Sequence, residues 1–315
     1  MVENFIYSIN ATFPIFLVIV IGYFLMRIGM LNEDFVTVAN RFNFKVTLPF
    51  LVFRDISSAN IREDFDGVFV LFCAGATTVC FFTIWGLAKL LIKDKTITGA
   101  FVQASFRSSA AVMGIAFIQN IYGNSGMAPL MIIGSVPLYN IYSVIVLTME
   151  AEDSGQGKER IKKALKGIVT NPIIIGILLG LVVSLLGITF PTVINKTIQN
   201  MAVLASPLAL IAIGAGFEGR KALAKIKPTI AVAVIKLVLQ TAVFLPLAIQ
   251  MGFREEKLIA ILVMLAAPTT PSCYIMAKNM KNDGVLTAST VVVTTLFSSV
   301  TLTAWIYLLK TFGLI

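Results

Sequence analysis

Two cations stand deep inside long apolar runs. Arg107 lies about ten residues from either end of the run over 97–121, and Lys236 is similarly deep in the run over 228–250. Arginine keeps its proton in a protein. A charge at mid-bilayer depth costs about 2.5–3.5 kcal/mol on insertion scales, so each cation must face the protein interior and find an anion or carbonyl oxygens. Ser108 and Ser109 follow Arg107, and Gln240 lies one helical turn beyond Lys236. All sixteen Asp and Glu fall in loops or near the ends of apolar runs, so neither cation has an evident protein counter-ion. The chemistry this points to is recognition of an anion that supplies the missing charge. Snorkelling, or capping the carbonyls of a broken helix, is the other use for either cation.

A second group is Pro268-Thr269-Thr270-Pro271-Ser272, in the middle of the run over 257–280. Each proline removes an N–H and crowds the carbonyl one turn back. Unpaired carbonyls cannot face lipid, where each costs several kcal/mol. They must line a cavity or be capped, and a helix broken at this depth is how membrane carriers build a binding site. A third group is Pro137, Asn140 and Ser143, three residues apart on about one helix face. Such a stripe lines a polar cavity or hydrogen-bonds a neighbouring helix.

Other chemistry is excluded by what is missing. The chain has no histidine, and its three cysteines, Cys73, Cys80 and Cys273, all lie in apolar runs. That leaves no acid–base pair and no metal site for an enzyme, and no cofactor is expected.

These groups sit in a chain that is 57% hydrophobic and 13% charged, with mean hydropathy +0.91. Soluble domains are about 25% charged, so this is an all-α polytopic membrane protein. Ten spans are read at 12–29, 35–53, 67–90, 97–121, 127–149, 168–189, 197–217, 228–250, 257–280 and 285–309. Placing both termini outside puts 17 of the 25 Lys and Arg on the cytoplasmic side and 6 on the other, as the positive-inside rule requires. The net charge of +9 therefore speaks for membrane sidedness and against nucleic acid. The first segment lacks the basic start and cleavage site of a removable signal and is expected to remain.

The two halves repeat at an offset of 158 residues. Pro14 meets Pro172, Gly22 meets Gly180, Gly29 meets Gly187, Pro49 meets Pro207 and Gly126 meets Gly284. The expected organisation is 1–149 as one five-span repeat, 150–167 as a cytoplasmic linker and 168–315 as the second repeat. Five is odd, so the second repeat enters the membrane upside down. At this offset Pro268 falls on Ala110 and Pro271 on Met113. The partner of the proline-broken segment is thus 107–114, and two interrupted helices are expected to cross at the pseudo-twofold axis.

Ala266-Ala267-Pro268 through Ala277-Lys278, Val112-Met113-Gly114-Ile115 with Tyr122-Gly123, and Ser206-Pro207-Leu208-Ala209-Leu210 with Gly214 resemble the auxin efflux carrier family. That family includes plant PIN carriers and bacterial malate/malonate permeases. The resemblance covers nearly the whole chain. It implies a fold similar to sodium/proton antiporters and bile-acid transporters. Spans 1, 2, 6 and 7 would form a scaffold and a homodimer interface. Spans 3–5 and 8–10 would form a moving transport domain, with spans 4 and 9 broken and crossing. Pro268 matches the family's crossover proline, and Ser109 replaces the Asn that bacterial members often carry two residues after the Arg. The function expected is secondary transport of small organic anions, mono- or dicarboxylates, with a ligand-gated anion channel or carboxylate sensor as the alternative. Substrate contacts are expected from Arg107, Ser108, Ser109, Met113, Pro137, Asn140, Lys236, Gln240, Pro268, Thr269, Thr270 and Ser272. Uniport is the simplest coupling, and sodium held by carbonyls and hydroxyls stays open.

Overall fold

The computed structural model describes residues 2–58, 66–110, 118, 127–151, 165–167 and 169–315, with side chains from residue 13 onward. Met113, most of the 150–167 linker and the Tyr122-Gly123 motif lie outside the described residues. Among the described residues there is no strand. The helices are α1 (Val2–Arg27), α2 (Glu33–Phe42), α3 (Leu48–Ser57), α4 (Gly67–Leu91), α5 (Thr98–Phe106), α6 (Ala128–Met149), α7 (Pro172–Leu186) and α8 (Thr192–Val203). They continue as α9 (Ala205–Ala215), α10 (Gly219–Ala224), α11 (Ile226–Val234), α12 (Gln240–Gln250), α13 (Glu255–Ala266), α14 (Ser272–Asn279) and α15 (Gly284–Thr311).

Among the described residues, five helical stretches are long and apolar enough to cross a membrane: Gly67–Leu91, Ala128–Met149, Thr192–Ala215, Ile226–Gln250 and Gly284–Thr311. Polar caps fix several starts. Asn32, Asp66, Asn171 and Asp283 each accept from a backbone N–H two or three residues on, at 2.8–3.0 Å. These side-chain oxygens satisfy donors that an isolated helix end leaves orphaned. The expected second span is α2 and α3 joined through a π-helical turn, Asn43–Thr47. That turn lies just ahead of Pro49, which has no N–H to give to a regular ladder.

Apolar side chains are distributed in the reverse of a water-soluble protein. Leu71, Phe82, Leu90 and Leu91 on α4 and Leu178, Leu179, Leu185 and Leu186 on α7 point outward with half or more of their surface exposed. Such broad apolar belts are stable only against lipid. The innermost elements are the interrupted ones. All nine residues of α5 are buried, as is every residue of α13 from Leu258 to Ala266. A helix apolar on all sides must be enclosed.

Close approach between helices is made at glycines. A Cβ on Gly22 in α1 would lie 2.5 Å from the Ile211 carbonyl of α9, and one on Gly180 in α7 would lie 3.0 Å from the Phe53 carbonyl of α3. The offset of 158 that relates Gly22 to Gly180 also relates Phe53 to Ile211, so one contact is the other with its halves exchanged. Gly214 of α9 meets the backbone of Ile19 and Tyr23 still more tightly.

Ion pairs gather at the two ends of α4, which at 25 residues is about 37 Å long. At its start Lys257 Nζ meets Asp66 at 2.6 Å. At its far end Lys89 meets Glu150 at 3.2 Å, and Trp85 Nε1 donates to the same carboxylate at 2.9 Å. Beyond that end Lys225 joins Asp94 at 3.3 Å and Asp283 at 3.2 Å, tying three connections together. Partial burial opposes the Lys225 charge, but the two carboxylates outweigh it and raise its pKa. The Thr96 hydroxyl, and then Lys225, hold Asp94 below the usual carboxylate range.

Two outcomes follow for purified protein. Gly214→Ala, which sets a methyl against backbone, is expected to destabilise by about 1–3 kcal/mol, whereas Gly86→Ala, which meets open space, leaves the melting temperature unchanged or slightly higher. Lys225→Met is expected to destabilise by less than about 1 kcal/mol at neutral pH. A lowered Asp94 pKa gives stability above the unfolded value that is lost as pH falls through the folded one; a raised Lys225 pKa gives stability lost only as pH rises through its own. The difference between wild type and Lys225→Met should therefore hold at neutral pH and disappear as the carboxylates protonate, which melting curves across acid pH will show.

Candidate functional site

Both central helices stop in mid-body, for different reasons. α13 stops because Pro268 cannot donate and forces Ala267 into an extended conformation, φ −63° and ψ 149°. The chain stays non-helical to Thr270, and α14 starts after Pro271. α5 contains no proline or glycine at its end. Arg107 turns extended, φ −80° and ψ 129°, and residues 107–109 are non-helical. The Ser109 N–H donates to the Pro268 carbonyl at 2.9 Å instead of to its own helix, and Ser108 Oγ donates to the Ala267 carbonyl at 3.2 Å. The two breaks meet and share hydrogen bonds.

Four more of the orphan carbonyls are capped individually. Thr269 Oγ1 donates to Ala104 O at 2.8 Å, and Gln240 Nε2 donates to Ser105 O at 2.7 Å. Tyr139 Oη donates to Met264 O at 3.1 Å, and Lys236 Nζ donates to Leu265 O at 2.7 Å and to Gln240 Oε1 at 3.3 Å. The Thr269 N–H finds Thr294 Oγ1 at 3.1 Å. Lys236 is fully buried in the π-helical turn Ile235–Leu239, with its charge at the negative end of α13. Of the two uses open to a deep cation, its contacts are those of a cap.

Arg107 is placed differently. It is 5% exposed, and one guanidinium nitrogen donates to Asn140 Oδ1 at 2.7 Å. The other meets Ser143 Oγ at 3.3 Å and the Met276 sulfur at 2.7 Å. An amide oxygen, a hydroxyl and a thioether are neutral acceptors, the last a weak one. Among the described residues no carboxylate is within bonding distance of Arg107.

The guanidinium opens on a cleft lined by Ser108, Ser109, Val136, Tyr139, Asn140, Thr270 and Ser272 on one wall and by Leu48, Leu51, Val52, Asp55, Ala205 and Ser206 on the other. Of the expected contact residues, Arg107, Ser108, Ser109, Asn140, Thr270 and Ser272 are thus brought together. Pro268, Thr269, Lys236 and Gln240 sit behind that wall at the crossing. Pro137 lies half-buried within α6, away from the cleft lining, and Met113 lies outside the described residues.

One expectation is corrected. The hollow beside Arg107 does contain an acid, Asp55, which counting inward from the helix ends placed at the periphery. Asp55 shares a face of α3 with Leu48, Leu51 and Val52, at the i, i+3, i+4, i+7 spacing, and that face is the cleft wall. The same spacing was the available signal. Tyr139, which caps a distant carbonyl, and Met276 and Thr294, which accept from the Arg107 guanidinium and the Thr269 N–H, were also missed, since nothing local marks a side chain whose partner is far away in sequence.

Residues 7–306 match the family model described as "Membrane transport protein". The chain belongs to this family, the auxin efflux carrier family of the sequence resemblance. It is similar to a "Putative malonate transporter" of Rhizobium meliloti (strain 1021), 25% identical over 304 residues, covering 94% of each chain. It is also similar to an "Uncharacterized transporter" of Methanothermobacter thermautotrophicus, 22% identical over 305 residues, covering 96% of this chain and 98% of the other. With its apolar helices, family membership makes this a multi-pass membrane protein of the transport class.

If the caps hold the crossing together, removing one strands a buried carbonyl. Thr269→Val is expected to lower stability by about 1–3 kcal/mol, read as thermal melting in detergent, whereas Thr301→Val, whose hydroxyl bonds only within its own exposed helix turn, should change it little.

Proposed function

We propose that this protein is a secondary carrier for small organic anions, mono- or dicarboxylates such as malonate, malate or auxin-like acids, working by alternating access. The observation that carries this reading is the Arg107 guanidinium: buried beside a helix break, bonded to neutral acceptors, and open to a cleft. A substrate carboxylate would take the place a protein carboxylate does not fill, with the Ser108, Ser109, Thr270 and Ser272 hydroxyls as further donors. The printed name of the Rhizobium relative favours a small carboxylate.

The reading includes ten spans in two inverted five-helix repeats. The exchanged contacts of Gly22 with Ile211 and Gly180 with Phe53 support it. Spans 1, 2, 6 and 7 (α1–α3 and α7–α9) form the scaffold and a homodimer interface. Spans 3–5 and 8–10 (α4–α6 and α11–α15) form the moving body, which carries Arg107. The cleft lies between the two, since one wall comes from each. On its far side Asn40 of α2 donates to Tyr274 Oη at 3.3 Å, and Asn279 donates to Asn40 O at 3.2 Å. These contacts would release when the body moves. Both termini lie outside and the central linker is cytoplasmic. Coupling is uniport or sodium-driven.

Uptake of radiolabelled malonate into proteoliposomes tests the assignment. Arg107→Gln is expected to reduce uptake at least 100-fold while the protein still elutes as a folded species. Unchanged uptake kinetics would remove Arg107 from the site. Saturable uptake with counterflow is the carrier's signature, and unitary current steps would replace this reading by a channel.

A further inference from the structure

We infer that Asp55 makes the cleft selective for monoanions that carry a hydrogen-bond donor opposite their carboxylate, and that it works against dianions. The inference rests on the carboxylate-carrier reading above and narrows its substrate class.

The cleft has opposite charges on its two walls. Arg107 stands on the wall built by the helix breaks, and Asp55 stands on the α3 wall. The Asp55 side chain is 11% exposed. Arg54 Nε and Nη2 both donate to its Oδ1, at 3.0 and 2.5 Å. This ion pair gives the buried carboxyl a counter-charge that works against the burial favouring its neutral form, and Arg54 does not itself line the cleft. Arg54 belongs to a separate recess with Thr192, Asn195, Lys196 and Gln199, and its Nη1 reaches Gln199 Oε1 at 3.4 Å. Among the described residues, the charged groups facing Asp55 are therefore Arg54 beside it and Arg107 across the cleft. Tyr139, the other titratable lining residue, has its hydroxyl committed to Met264 O.

An ionised carboxylate only accepts hydrogen bonds. A dianion would satisfy Arg107 with one end and present acceptors to an acceptor with the other. Among the described residues, the remaining lining is apolar or holds neutral amide and hydroxyl groups, and none is a second cation. Like charges placed together in a partly enclosed site are a standard means of rejecting the wrong ligand. A hydroxyl, an amide or a protonated carboxyl at the far end turns the same contact into a hydrogen bond. The ligand class is thus hydroxy acids, monoamides and half-protonated diacids, each with one negative charge.

Malonate and its monoamide test this, because they match in length and differ in charge and donor at one end. Binding is measured by calorimetry on the purified full chain at pH 7.5. Wild type is expected to bind the monoamide at least tenfold more tightly than malonate. Asp55→Asn should shift the ratio at least tenfold toward malonate, and Arg107→Gln should lose both ligands. Wild type preferring malonate, or Asp55→Asn changing both affinities equally, overturns the inference and leaves the carrier reading standing. Neither ligand binding wild type, or both binding Arg107→Gln as before, overturns the carrier reading as well. The wild-type comparison decides the matter even if Asp55→Asn fails to fold.

Discussion

A broken helix inside an apolar body leaves backbone oxygens that have no water to turn to. That constraint organises this structure. Each orphan carbonyl buried without a partner costs several kcal/mol in a hydrocarbon-like setting, comparable with a sizeable part of a typical folding free energy. The chain answers with five separate donors from five places: Ser108, Thr269, Tyr139, Lys236 and Gln240. The Ser109 amide adds a sixth. These polar side chains at the crossing are therefore committed to holding the two breaks together, and of the two deep cations Arg107 is the one left facing a cleft.

That division separates two cations that look alike in sequence. Lys236 is compact, can approach one carbonyl end-on, and sits where the α13 dipole is negative. Arg107 presents a planar fork of donors, and the atoms around it occupy that fork with weak or neutral partners. The fork suits a planar carboxylate, which can take two parallel N–H bonds. Rigid support comes from Asn140, itself fixed by donating to Val136 O at 2.9 Å.

The sequence made the proline break of 257–280 legible, because Pro268 acts through its own geometry. The break at 107–109 was not legible locally. No residue there forbids a helix, and the helix ends because the Ser109 amide is drawn to a carbonyl 159 residues away. The offset of 158 and the family resemblance were what pointed to it. Among the described residues, six of the twelve expected contact residues line the cleft: four hydroxyls beside the breaks, Arg107, and its acceptor Asn140 on α6. Lys236, Gln240 and Thr269 were placed correctly as deep polar residues, but depth alone does not say whether a side chain faces a cavity or a carbonyl. Asp55 was missed because counting from span ends measures depth along one helix. Access to the cleft is set by the neighbouring helices, which here leave the outer turn of α3 uncovered on one face.

On the carrier reading, the neutral surroundings of Arg107 also bear on how movement is linked to occupancy. An uncompensated guanidinium carried past Leu48, Leu51 and Val52, the apolar turns of a face whose acid, Asp55, is already paired with Arg54, meets a barrier of the order of an arginine at mid-bilayer, about 3 kcal/mol. That corresponds to roughly a 100-fold bias against the empty crossing. A bound carboxylate removes the net charge and with it most of the barrier. A carboxylate supplied by the protein beside Arg107 would have removed it permanently, and the empty body would then move as freely as the loaded one. The absence of such a partner from the guanidinium's shell among the described residues is thus what would let cargo control motion, with no separate gate.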